Sequence, residues 1–246
     1  MTMAGVQKRP AFVLYHHIWI AIDWLYPPAC GGCGKSGERW CRQCQELCTR
    51  IPQSCCQICG VPLPSPGICA SCQETPPNYT ACRSFAVYEG PLREAIHQLK
   101  YQRDIGLGEA LAVHLIELLT SLPWHIDLIT PVPLSPKRLK ERGYNQAGLL
   151  AYPVALSSRI PYSARAIRRI RETHSQVGLS AAERSQNLLG AFQAKPEIVM
   201  GKSVLVIDDV TTTGSTLMGC TQALLNSGAV AVYGITLAKA MHQQAL

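Results

Sequence analysis

The chain is poor in charge and in aromatic rings: 16% of its 246 residues are Asp, Glu, Lys or Arg, and 7% are Phe, Trp or Tyr. With 47% apolar residues beside that low charge, disorder, collagen-like structure and coiled coils are excluded, and the length allows one to two domains. No apolar run is long enough to span a bilayer, because the stretch from Ala11 to Ile22 is interrupted by His16 and His17 and followed by Asp23. The same stretch lacks a small-x-small cleavage site, so it reads as a peripheral helix with Phe12, Leu14, Ile18, Ile22 and Leu25 apolar, not as a signal peptide. The expected location is cytoplasmic, where paired cysteines ligate metal and do not form disulfides.

Cysteine is nearly absent from two thirds of the chain. Eleven of the twelve lie between Cys30 and Cys82, and only Cys220 falls in the 164 residues that follow, so two modules of different chemistry share the polypeptide. Acid is scarce in one segment. Residues 135–175 hold nine Lys and Arg against Glu141 and Glu172, which accounts for the whole net charge of +7 and leaves the rest balanced at 14 against 14. Charge gathered in that way points to an anionic ligand or partner.

Four CxxC pairs occur in order: Cys30/Cys33, Cys41/Cys44, Cys56/Cys59 and Cys69/Cys72. Two residues between ligands let both sulfurs reach one ion at about 2.3 Å, and Gly34 and Gly60 stand where the turn needs a positive φ. Eight thiolates make two tetrahedral zinc sites, and the repetition of CGGCGK…CRQC in CQICGV…CASC supports one plan used twice. Sequential and interleaved assignments both give four ligands per metal; the sequential one is preferred. Cys48, Cys55, Cys82 and Cys220 are read as small buried side chains, with Cys55 an alternative ligand beside Cys56. Such a module takes its fold from the metal and leaves no position open for catalysis. Its nearly neutral charge speaks against nucleic-acid binding by this module alone.

From about Ser84 the pattern alternates between helix and strand. Pro91 opens a helix through Leu99, and Leu107, Leu111, Leu115 and Leu118 mark another. IDLITPV at 126–132 reads as a buried strand, Ser180 to Glu183 as a capping box, and Pro153 as kinking or ending early the helix that follows Asn145. VLVID at 204–208 is a strand, DVTTTGS a turn, 215–227 a helix with Leu217, Cys220 and Leu224 inward, and AVAVYGITLA the next strand. That βαβ unit implies an α/β domain with ligand at the carboxyl ends of its strands. There, backbone N–H groups and hydroxyls from Thr211 to Thr216 can cradle a phosphate, with Gly214 allowing close approach and the helix dipole favouring the charge. Two acids beside a phosphate require neutral donors as well, and ribose hydroxyls hydrogen-bonded to Asp208 and Asp209 meet that need.

VLVIDDVTTTGST resembles the phosphoribosyl-pyrophosphate signature of type I phosphoribosyltransferases, with Thr211 standing where an apolar residue is usual. Together with LKY at 99–101, PVPLSPKRLKERGYNQA at 131–147 and RETHSQVGLSAAERSQNLLGAF at 171–192, it is similar to the ComF/GntX family. The resemblance implies an amino-terminal helix or arm (1–28), a double zinc ribbon (29–83), and a type I phosphoribosyltransferase-like parallel sheet flanked by helices (84–246). It also implies binding of phosphoribosyl pyrophosphate with Mg²⁺: Asp208 and Asp209 on the ribose, and Thr211, Thr212, Thr213, Gly214, Ser215 and Thr216 on the 5′-phosphate. A second loop with Pro131 and Val132, with Lys137, Arg138 and Arg142 beyond it, would take pyrophosphate, while the ERGYNQ segment and Arg169, Arg171, Thr173 and Gln176 close over it. The family is associated with competence and the handling of single-stranded DNA. Two functions therefore compete: transfer of the phosphoribosyl group, or a non-catalytic nucleic-acid or nucleotide-binding adaptor that retains the transferase fold. The adaptor would hold a single strand with Tyr144 and Tyr162 as stacking rings, its ribbons docking a competence helicase.

Overall fold

A computed structural model of the chain describes residues 10–171 and 190–241. Its centre is a parallel sheet of four strands: β1 (Ala81–Val87), β2 (Leu128–Pro131), β5 (Ser203–Thr211) and β6 (Ala231–Lys239), in the order β1-β6-β5-β2. β3 (Ile167–Arg169) and β4 (Phe192–Ala194) form a separate antiparallel pair. The boundary expected after residue 83 falls inside β1.

Alternation along β5 sets the two sides of the sheet. Leu205 and Ile207 enter one cluster with Ile129, Ile235 and Leu237. On that side lie α4 (Gly90–Tyr101), α5 (Ile105–Thr120) and α7 (Gln146–Ser158), which bring Leu99, Leu111 and Leu150. Val204 and Val206 enter a second cluster with Leu128, Val232, Leu224 and the β3–β4 pair. Leu224 belongs to α9 (Ser215–Asn226), the helix expected over 215–227, with Leu217 and Cys220 buried as its periodicity requires. The short helices α6 (Pro136–Arg142) and α8 (Pro196–Val199) complete this domain among the described residues. The capping box at Ser180 lies outside those residues.

Pro153 does not end α7. The helix runs on to Ser158 with Pro153, Val154 and Ala155 buried, so packing on both sides outweighs the roughly 3 kcal/mol that an interior proline costs.

The ribbons and the amino-terminal helix close on this domain. α1 (Pro10–Leu25) turns Phe12 into the core, sets Tyr15 edge-on against Tyr152 at 5.6 Å, and pairs His16 with the buried Glu109 at 2.7 Å. Of the apolar residues read on this peripheral helix, Phe12 is buried, whereas Leu14, Ile18 and Leu25 are exposed. Arg39 ties the pieces together by bridging Asp23 of α1 and Asp104, the N-cap of α5. No helix among the described residues is long and apolar enough to cross a membrane.

Candidate functional site

Each four-cysteine set follows the chain order. Cys30, Cys33, Cys41 and Cys44 converge in one cluster and Cys56, Cys59, Cys69 and Cys72 in the other, with the ligand atoms of each within 4.8 Å of one another. Four sulfurs at about 2.3 Å from zinc stand about 3.8 Å apart along a tetrahedron's edges. The observed separations are 3.7 Å for Cys30–Cys44, 3.8 Å for Cys33–Cys41 and 3.7 Å for Cys59–Cys69. The sequential assignment is therefore the one the fold adopts, and Cys55 is buried outside the cluster. Short helices α2 (Arg42–Glu46) and α3 (Ala70–Glu74) begin just after Cys41 and Cys69 and present Cys44 and Cys72 inward. Backbone N–H groups of Gly32 and Cys41 point at Cys30 Sγ, at 3.5 and 3.4 Å. Burial raises the Cys30 thiol, but these donors outweigh it and bring the pKa to about 6; Cys56 is brought to about 6 in the same way, with the Cys69 N–H at 3.4 Å. Closed sets of four thiolates are structural zinc sites.

A cavity of about 840 Å³ opens at the carboxyl ends of β5 and β2. Its walls include Asp208 and Asp209 from the end of β5, Thr212 and Thr216 from the turn into α9, and Val132 from the turn after β2. Lys100, Arg103, Arg138, Arg142 and Arg169 supply positive charge around it. Arg103 holds φ +58, a conformation that costs a non-glycine residue about 1–3 kcal/mol and so marks a constrained position.

The acids are tightly set. Asp208 Oδ1 accepts the N–H of Asp209 at 2.9 Å, and Asp209 Oδ1 accepts that of Val210 at 3.0 Å. Lys100 Nζ lies 2.6 Å from Asp209 Oδ2. Burial, followed by the charge of Asp209, pushes the Asp208 carboxyl well above its usual range. The turn beside them is closed by the Thr213 and Ser215 hydroxyls, 2.7 Å apart, and by Gly214 at φ +79. The positive φ favours glycine at 214, and a Cβ there would also crowd the Tyr79 hydroxyl at 3.3 Å.

The family of double zinc ribbon domains matches residues 21–73. The chain is 36% identical over 201 residues to DNA utilization protein YhgH of Escherichia coli K12, covering 78% of this chain and 86% of that protein. Competence protein F of Haemophilus influenzae is 32% identical over 80% of this chain and 90% of its own length. The chain belongs to the ComF family. Competence protein ComFC of Bacillus subtilis is 28% identical over 82% and 85%. Among solved structures, adenine phosphoribosyltransferase from Thermoanaerobacter pseudethanolicus is similar at 15% identity and a TM-score of 0.37, over 56% of this chain and 83% of that one.

Within this ComF-family fold the residues singled out by sequence are placed unevenly. Asp208, Asp209, Thr212, Thr216, Val132, Arg138 and Arg142 line the cavity together. Thr211 belongs to β5, opposite Lys239 of β6, and its carbonyl accepts the Ala240 N–H at 2.9 Å; the turn begins later than DVTTTGS implies. Pro131 ends β2 opposite Ile207, and Lys137 is exposed on α6 outside the cavity wall. Thr173 and Gln176 lie outside the described residues. Asn145 ties the ERGYNQ segment to the second loop, donating from Nδ2 to the Val132 carbonyl at 2.9 Å while capping α7.

The expected stacking rings are otherwise engaged. Tyr144 is half-buried and donates its hydroxyl to the Leu99 carbonyl at 2.6 Å, and Tyr162 packs edge-on against Tyr152 at 5.6 Å. The exposed ring at the cavity is Tyr101, 64% accessible, with the Arg142 guanidinium 5.2 Å from its centroid. Lys100 and Tyr101 had only the LKY resemblance to mark them. Their meeting with Asp209 and Arg142 depends on how α4 packs.

Proposed function

We propose that this cavity binds phosphoribosyl pyrophosphate with Mg²⁺ and transfers the phosphoribosyl group. The observation that carries the reading is the juxtaposition of Asp208 and Asp209 with a glycine-containing hydroxyl turn at the start of α9, inside a cavity ringed by cations. Asp208 and Asp209 accept the ribose hydroxyls. The turn from Thr212 to Thr216 and the N-terminus of α9 hold the 5′-phosphate, Thr211 ending the strand beneath it. Val132, Arg138 and Arg142 face the pyrophosphate, with Pro131 shaping its loop and Lys137 contributing at longer range.

Transfer breaks the bond from the anomeric carbon to pyrophosphate and forms one to an acceptor nucleophile. Positive charge develops on the ribose ring and negative charge on the leaving group, so cations fixed around the pyrophosphate favour the transition state. Magnesium supplies further neutralisation when bound with the ligand. The work takes place in the cytoplasm, in the DNA utilization and competence that the relatives' names give.

Calorimetry of the zinc-loaded chain with phosphoribosyl pyrophosphate and Mg²⁺ tests this reading, binding being lost in Asp208→Asn/Asp209→Asn while zinc stays near two per chain. Affinity unchanged by that double substitution would refute it. The exposed Tyr101–Arg142 pair favours a second reading, a single-strand adaptor partnered by a competence helicase. In that case single-stranded DNA binds with no pyrophosphate released, and alanine at Lys137, Arg138 and Arg142 flattens the salt dependence of binding.

A further inference from the structure

Two adjacent carboxylates in a poorly solvated site do not both ionise without a counter-charge, since each raises the cost of the other's negative form. Among the described residues the cation in contact with the pair is Lys100, whose side chain is 21% exposed and whose Nζ lies 2.6 Å from Asp209 Oδ2. Lys100 is delivered from a clamped stretch of α4. The carbonyl before it accepts the Tyr144 hydroxyl at 2.6 Å, and the ring after it lies under the Arg142 guanidinium. Both clamps come from the ERGYNQ segment, which also holds the second loop through Asn145.

We propose that Lys100 is a positioning residue of this cavity: its ammonium is the counter-charge that keeps the Asp208–Asp209 pair a charged acceptor, ready for ribose hydroxyls. The inference rests on the phosphoribosyl-pyrophosphate reading above. The other charged or titratable groups around the pair are Tyr88, Arg103, Arg138, Glu141, Arg142 and Arg169 on the cavity wall, none of them an ion-pair partner of either acid among the described residues, and the thiols of Cys82 on β1 and Cys220 on α9, whose charges act on Asp208. Arg169 already has partners of its own, including the Arg171 carbonyl and the Phe192 ring, and the thiols carry no positive charge. Asp208 behaves accordingly, raised by burial and by Asp209 and drawn back by Lys100. Lys100 itself, lowered by burial, is raised overall by Asp209.

The test uses the zinc-loaded full chain and Lys100→Met and Lys100→Arg, with zinc content and near-ultraviolet circular dichroism reporting the fold. Carbon-13 carboxyl NMR of the ligand-free proteins follows proton uptake by the pair, and calorimetry follows phosphoribosyl pyrophosphate with Mg²⁺ from about pH 5.5 to about pH 9. Lys100→Met moves proton uptake up by about one pH unit or more and weakens the ligand about tenfold or more near pH 6.5, the deficit narrowing as pH rises. Lys100→Arg restores both. Carboxyl titrations that superimpose in the wild-type and Lys100→Met proteins overturn the inference, as does an affinity loss equal at every pH. If the wild-type chain binds no phosphoribosyl pyrophosphate, the proposed function falls, and the carboxyl titration still decides the role of Lys100.

Discussion

Acidification will loosen the seam between the first ribbon and α5 through one neutral histidine. His114 is 3% exposed, stacks on Phe85 at 4.2 Å and accepts the Trp40 indole N–H on Nε2 at 3.0 Å. Trp40 lies between the CxxC pairs of the first ribbon, so this bond joins the two modules. Protonation would put a second donor against the indole. Burial first, and the charge of Arg50 second, lower the imidazole pKa from 6.5 to about 4. The unfolded chain takes up the proton at higher pH than the folded one, so this contribution is complete above about pH 6.5 and is lost as pH falls toward about 4. At about 1.4 kcal/mol per unit the full loss is on the order of 3 kcal/mol.

Urea unfolding of the zinc-loaded wild type and His114→Phe, repeated between about pH 7.5 and about pH 4.5, measures it. The phenyl ring preserves stacking on Phe85 but leaves the Trp40 N–H unpaired, which costs about 1–3 kcal/mol at neutral pH. The wild-type advantage should shrink with acidification, and loss of zinc thiolates cancels because both proteins suffer it. A gap that stays constant between about pH 6.5 and about pH 4.5 would refute the reasoning.

Cys33→Ser or Cys59→Ser should each reduce bound zinc from two ions per chain to one, measured by elemental analysis; loss of both from either change would mean that the sites do not fill independently. Asp208→Asn should abolish phosphoribosyl-pyrophosphate binding yet stabilise the empty protein at neutral pH, because burial and Asp209 disfavour the charged carboxylate there. Its raised carboxyl contributes stability below the unfolded carboxylate pKa and loses it as pH rises, so the gain seen in Tm should vanish near pH 3.8. Gly214→Ala forces a side chain into φ +79 against Tyr79 and should cost about 1 kcal/mol or more, with weaker phosphate binding and unchanged zinc.

The zinc ligands were legible because a CxxC spacing acts within a single turn, where chain connectivity alone brings the sulfurs together. The strand, acid pair and hydroxyl turn at 204–216 were legible for the same reason: each step follows its neighbour along the chain. Longer-range consequences were not. Thr211 became strand because β6 offered Lys239 and Ala240 opposite it. Pro153 stayed in a helix because buried packing on α7 outweighed a local preference. Tyr144 and Tyr162 carry rings suited to stacking, but their surroundings engaged them elsewhere. The sequence by itself determined which cysteines form the two metal sets and that a hydroxyl turn adjoins two acids, since both depend on neighbours a few positions apart. Tertiary structure decided that Lys100 meets Asp209 and that Tyr101 and Arg142 share the cavity mouth, because charge and stacking act through space between segments that only the packed sheet brings together.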